Sequence, residues 1–150
     1  MKIIAFDLGK NMAWASNVAG KLVAGVDVFE GARAHRLGQI LDRLEYNLKK
    51  YGKKLDVAIY ETPFARGRDA TRSLWGIAGL IEACADRYEL PVVDASVPTI
   101  KKFATGSGRG SKEEMLAAAK KFGYRGSNEH EADAVCLLKY AEANLERVAE

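Results

Sequence analysis

Two short apolar stretches of this chain each end on an acid. Residues 2–9, KIIAFDLG, run through β-prone side chains into Asp7, and residues 55–63, LDVAIYETP, run into Glu61 shortly before a proline. A carboxylate buried within a strand costs several kcal/mol unless it is paired or bound to a cation. Both acids are therefore expected at strand ends. Ligands of open sheets gather outside the carboxyl ends of parallel strands, so two strands that each deliver one carboxylate there suggest a shared site. Two solvated strand-end acids are the plainer alternative.

The rest of the chain reads as elements around those strands. NMAWASNVAG (11–20) and KLVAGVDVFE (21–30) continue a meander from the first strand, with a turn at Ala19 and Gly20. RAHRLGQILDRLEYNLKKYG (33–52) spaces Leu37, Ile40, Leu41, Leu44 and Leu48 for a helix, with Gly52 as its terminator. DATRSLWGIAGLIEACADRYEL (69–90) predicts a long helix whose Gly76 and Gly79 allow close packing on the sheet, and PVVDASVP (91–98) a last strand and turn. Two more helices are predicted at roughly 111–122 and 129–146. Three antiparallel strands, a helix, a parallel strand, a helix and a further strand make an α/β chain with a five-stranded mixed sheet and helices on both faces. That order resembles the ribonuclease H-like fold.

At 150 residues and 48% apolar content the chain suits a single domain, residues 1–150, with one sizeable core. Cys84 and Cys136 are isolated in apolar stretches and read as small core residues in a reducing, cytoplasmic setting. The N-terminal apolar run is too short for a signal peptide, and no run of about 18 apolar residues predicts a membrane span. The net charge of +3 excludes little. Its distribution is more telling, because Lys49, Lys50, Lys53 and Lys54 form one cluster and Lys101, Lys102, Arg109, Lys112, Lys120, Lys121 and Arg125 spread over another stretch. Such clusters are either a solvated surface or a nucleic-acid footprint.

A third acidic contribution comes from SNEHEADAVCLLKYA (127–141). With Ser127 or Asn128 as N-cap, Glu129 and Glu131 are accounted for as first-turn acids that complement the helix dipole. Asp133 is not, and it shares a face with His130 three residues earlier. Ala132, Val135, Cys136 and Tyr140 are expected on the buried side. Carboxylates from two strands plus this HxxD pair would surround one or two divalent cations, and two ions about 3.5–4 Å apart can support phosphodiester hydrolysis. Oxygen ligands suit Mg2+, while an imidazole makes Mn2+ competitive.

Taken together these residues resemble the RuvC family of Holliday-junction resolvases over almost the whole chain. The family pattern of Asp on the first strand, Glu on the fourth, and a C-terminal DxxD or HxxD helix matches Asp7, Glu61, and His130 with Asp133. The resemblance implies that these four hold Mg2+ or Mn2+, two ions per site, and cut branched DNA, especially four-way junctions, to 5'-phosphate and 3'-hydroxyl ends. In ETPF (61–64) the family's wedging aromatic falls on Phe64, for which packing beneath its own loop is the alternative. In TIKKFATGSGRGSKEE (99–114) Lys101, Gly106, Gly108 and Lys112 match the basic, glycine-containing segment that meets the DNA backbone. The helix starting near Ser111 is expected to offer amides to a phosphate. A homodimer with two sites suits the two symmetric strands of a junction, with the helix near 69–87 as its expected interface.

The chain is short, like the bacteriophage members, and carries GKNMAWA after the first acid, so its junction selectivity and cleavage sequence stay open. Three rivals also stay open. They are a YqgF-like nuclease acting on RNA, a catalytically silent junction-binding protein, and an actin-like ATPase lobe suggested by FDLGKNMAWA, although 150 residues are too few for two such lobes.

Overall fold

Alternating burial along the first strand sets the layers. The structure, a computed structural model, describes residues 1–64 and 67–145. In β1 (Ile3–Asp7) Ile3 and Ala5 face one hydrophobic core while Ile4 and Phe6 face another, as the two-residue period of a strand requires. β2 (Asn11–Ser16) and β3 (Val23–Val28) extend the sheet antiparallel from β1. β4 (Val57–Glu61) pairs parallel with β1, and β5 (Val92–Ala95) parallel with β4. The spatial order is β3-β2-β1-β4-β5, so the two acid-ended strands lie side by side in the middle.

Helices α1 (Arg33–Tyr51) and α2 (Arg68–Arg87) cover one face, packing Ile40, Leu44, Ile77 and Ile81 against Ile4, Phe6, Ala58 and Tyr60. The other face is covered by α3 (Val97–Thr105), α4 (Lys112–Lys121) and α5 (Glu129–Asn144). The expected Ala132, Val135 and Cys136 are buried in α5, but so are Ala134, Leu137, Leu138 and Ala141. This helix is enclosed nearly all round, and Tyr140 packs edge-on against Phe103 of α3. Residue 146, the last of its expected span, lies outside the described residues.

Three local expectations are corrected. α3 stands where the sequence suggests a turn and a basic segment; Ser96 caps it by accepting from the Thr99 amide, and Pro98 fits its first turn, where a missing N–H costs nothing. Gly52 ends α1 as its C-cap, as expected, with a right-handed rather than left-handed backbone. Its φ is −53°, the chain continues through a 3-10 turn at Gly52–Lys54, and Gly52 lies buried with room for a Cβ only 3.5 Å from the Tyr88 side chain. Gly76 packs against Leu37 of α1 rather than the sheet, and Gly79 is exposed with nothing near it. Both cysteines are free and buried, as expected of core residues. Among the described residues no helix is long and apolar enough to cross a membrane.

Ile59 is fully buried at the centre of β4, two residues before Glu61. Ile59→Ala is expected to cost about 2–5 kcal/mol, seen in urea unfolding as a lower midpoint with an unchanged slope.

Candidate active site

The pleat that sorts the core also aims the acids. Asp7 and Glu61 occupy the same phase as Ile3, Ala5, Val57 and Ile59, and the β1–β4 register pairs Phe6 with Tyr60 immediately before them. Both carboxylates therefore emerge at adjacent strand ends on the α5 face. Asn128 caps α5 by accepting from the amides of His130 and Glu131, which fixes the helix start over those strand ends. His130 Nδ1 lies 3.4 Å from Asp7 Oδ2. Glu61 and Asp133 line one pocket together with Lys101 of α3 and Lys112 of α4. The structure thus brings together all four residues of the expected acidic constellation.

Their electrostatics are those of crowded, partly dehydrated carboxylates. Burial pushes Asp7 well above the usual carboxylate range, and the charges of Glu61, Asp133 and Glu129 push it further. Burial and then Asp133 raise Glu61 from 4.5 to about 7, against the opposing pull of Lys101. Asp133 is raised by burial and held back by His130, Lys101 and Lys112. A divalent cation would relieve the same penalty that protons relieve here. The donor set, rich in carboxylate oxygen with one imidazole, fits Mg2+ or Mn2+ by its chemistry. Its spacing is looser than a finished shell: among the described residues no group of three or more His, Cys, Asp or Glu side chains is close enough to hold a metal ion.

Other parts of the expected site are rearranged. Glu129 is more than a first-turn acid, because it lies 3.3 Å from Lys112 Nζ and 3.8 Å from His130 Nε2 and adds to the field on Asp7 and Asp133. Only the docking of α4 beside α5 reveals this, since 17 residues separate Lys112 from Glu129. Glu131 points elsewhere, accepting from the Tyr124 hydroxyl. Phe64 is 82% exposed and so does not pack beneath its loop.

Gly106 ends α3 at φ 84°, a conformation that favours glycine, and Gly108 sits against Pro98, where a Cβ would be 3.4 Å from a carbonyl oxygen. Local geometry therefore favours a glycine at Gly106 and only brings Gly108 close to Pro98. Two of the amides at the start of α4 are taken by its own capping box. Glu114 accepts from the Ser111 amide and Ser111 Oγ from the Glu114 amide, and Glu113 and Glu114 add negative charge there.

The raised carboxylates predict a pH dependence of stability. Below about pH 4.5 Glu61 is protonated in both folded and unfolded chains and has no effect. Between 4.5 and about 7 the unfolded chain releases a proton that the folded chain retains, so stability falls and then levels off. Asp7 and Asp133 act in the same direction. Glu61→Gln is expected to stabilise the metal-free protein at pH 8 by about 2 kcal/mol, several degrees in Tm, and to leave it unchanged at pH 4. Thermal unfolding in a chelator at both pH values checks this.

No family model matches the sequence, and no curated protein does. Solved structures do. RuvC from Thermus thermophilus is 20% identical with a TM-score of 0.75, matching 95% of this chain and 96% of that one. The same organism's RuvC in complex with a Holliday junction substrate is 18% identical with a TM-score of 0.77, matching 91% and 90%. The protein has the ribonuclease H-like fold in the form found in RuvC.

Proposed function

We propose that this chain is a metal-dependent, structure-selective DNA endonuclease that cuts four-way junctions and related branches by paired phosphodiester hydrolysis. The observation that carries the reading is the convergence of Asp7, Glu61, Asp133 and His130 at the carboxyl ends of the two central strands. It is supported by a fold shared over nine-tenths of the chain with a protein solved on a Holliday junction.

Asp7, Glu61 and Asp133, with His130, would hold the divalent cations. When bound, such ions supply an activated water and stabilise the leaving oxygen of a phosphodiester. The protein's own contributions are positional and electrostatic. Raised carboxylates poised between protonated and charged forms bind a cation with release of protons. His130, in contact with Asp7, orients the attacking water or moves its proton. Lys101, facing Glu61 and Asp133 across the pocket, neutralises the scissile phosphate as it approaches. Lys112 is tied to Glu129 and contributes a further cation at the rim, where contacts are salt-sensitive and blind to sequence.

Phe64 would wedge between base steps, as an exposed apolar side chain can when unstacking is repaid by a bent or branched substrate. Products would carry 5'-phosphate and 3'-hydroxyl ends, and a homodimer would present one site to each symmetric strand. A catalytically silent junction binder is the second reading, favoured by the looseness of the acidic cluster.

Asp7→Asn is expected to retain junction binding and lose cleavage, and His130→Ala to slow cleavage about 100-fold in both Mg2+ and Mn2+. A synthetic four-way junction, a flap, a duplex and an RNA–DNA hybrid, each compared by gel shift and by strand cutting, check both. A wild type that binds the junction and never cuts it establishes the silent reading instead. Cutting of RNA but no junction establishes an RNA nuclease.

A further inference from the structure

A pocket of ≈ 300 Å³ lies on the opposite face of the sheet from the carboxylates, between α1 and α2 and beneath the β1–β2 turn. Its floor is apolar, formed by Leu37 and Leu74 over the fully packed Ile40 and Ile77. Its rim carries Lys10, Arg33 and Arg36, with no acid among the lining residues. Arg36 is anchored by donating to the Gly31 carbonyl, whereas among the described residues neither Lys10 nor Arg33 has an ion-pair partner. An apolar cavity at the small end of the ligand-site range, ringed only by cations, suits a ligand that is flat and apolar at one end and anionic at the other.

Its position narrows the ligand. Gly9 and Lys10 follow Asp7 by two and three residues, so the pocket opens at the same end of the sheet as the acids. Exposed Phe64 lies three residues after Glu61, the last residue of β4, and the first turn of α2 contributes Ala70 to the pocket. A strand crossing this end would meet the carboxylates on one face, an apolar wedge beside them, and a cation-rimmed cavity on the other.

We propose that this pocket receives an unstacked nucleobase of the DNA strand that runs past the acidic site, with its phosphate held by Lys10, Arg33 and Arg36. Ser73 supplies a hydroxyl within the cavity for the base edge. The proposal rests on the reading of the chain as an enzyme acting on branched DNA, and it adds a second contact that the acidic site does not contain. A base given a cavity after unstacking recovers part of the lost stacking energy, as in other proteins that extrude bases.

The test uses the full chain with Asp7→Asn to suppress cutting. 2-Aminopurine, a base whose fluorescence rises on unstacking, is placed in turn at each position flanking the centre of a four-way junction, and also along a single-stranded oligonucleotide. At one or two junction positions the signal is expected to rise several-fold on binding. Ala70→Trp, which fills the pocket from an exposed position, and Lys10→Glu with Arg33→Glu should each remove that rise and weaken junction binding about ten-fold while Tm stays unchanged.

A rise that persists in both variants overturns the pocket and leaves the junction reading standing. Binding and a pocket-dependent rise with the single strand but none with the junction keep the pocket and overturn the junction reading. No rise with either DNA overturns the pocket, as does a change of oligomeric state in Ala70→Trp, which would assign the cavity to a second copy of the chain.

Discussion

The structure is organised around a repulsion. Three carboxylates, Asp7, Glu61 and Asp133, are drawn from two strands and a helix into a partly dehydrated corner where each makes its neighbours harder to ionise. Two hydrophobic cores on the two faces of the sheet hold them there. Ile3, Ala5, Val57 and Ile59 continue the phase of the two strand acids directly into the core beneath α5, so neither acid can turn away without moving its strand. Stability is given up at the strand ends for a strong local preference for positive charge, a trade common where sites are built for function rather than for the fold.

α5 shows how one element serves both sides of that trade. Between Ala132 and Ala141 it is buried almost all round, which anchors it in the core. Its first turn is polar, capped by Asn128, and presents His130 to Asp7 and Asp133 to Glu61. Burial of Asp133's own helix also reaches Cys136, whose thiol is pushed up to about 12 by burial and by Asp133, so it remains a protonated core residue. Lys101 and Lys112 then face the acids from α3 and α4, partly balancing them without closing the site.

Much of this was legible in the sequence because it depends on short periods. Strand alternation and a terminal acid located Asp7 and Glu61, and a one-turn spacing joined His130 to Asp133. What needed the structure depends on packing between elements distant in sequence. Glu129 enters the site only because α4 brings Lys112 alongside. α3 was hidden by Pro98 and the β-branched residues around it, which read as a turn until Ser96 is seen capping a helix. Gly52 and Gly76 have helical or ordinary backbone whose neighbours, Tyr88 and Leu37, come from other helices, and no local rule names those partners. At the start of α4 the reciprocal Ser111 and Glu114 bonds take two of the amides that the helix start would otherwise offer.

Asp7, Glu61 and Asp133, each harder to ionise than a free carboxyl, form a site whose charge suits a divalent cation. Calorimetric titration of Mn2+ into the protein at pH 6.5, in two buffers of different ionisation enthalpy, counts the protons exchanged on binding. Saturable binding with release of about one proton or more per chain, declining as the pH is raised well above 7, is the result expected from raised carboxylates. Absence of saturable binding, or binding that releases no proton at pH 6.5, would contradict it.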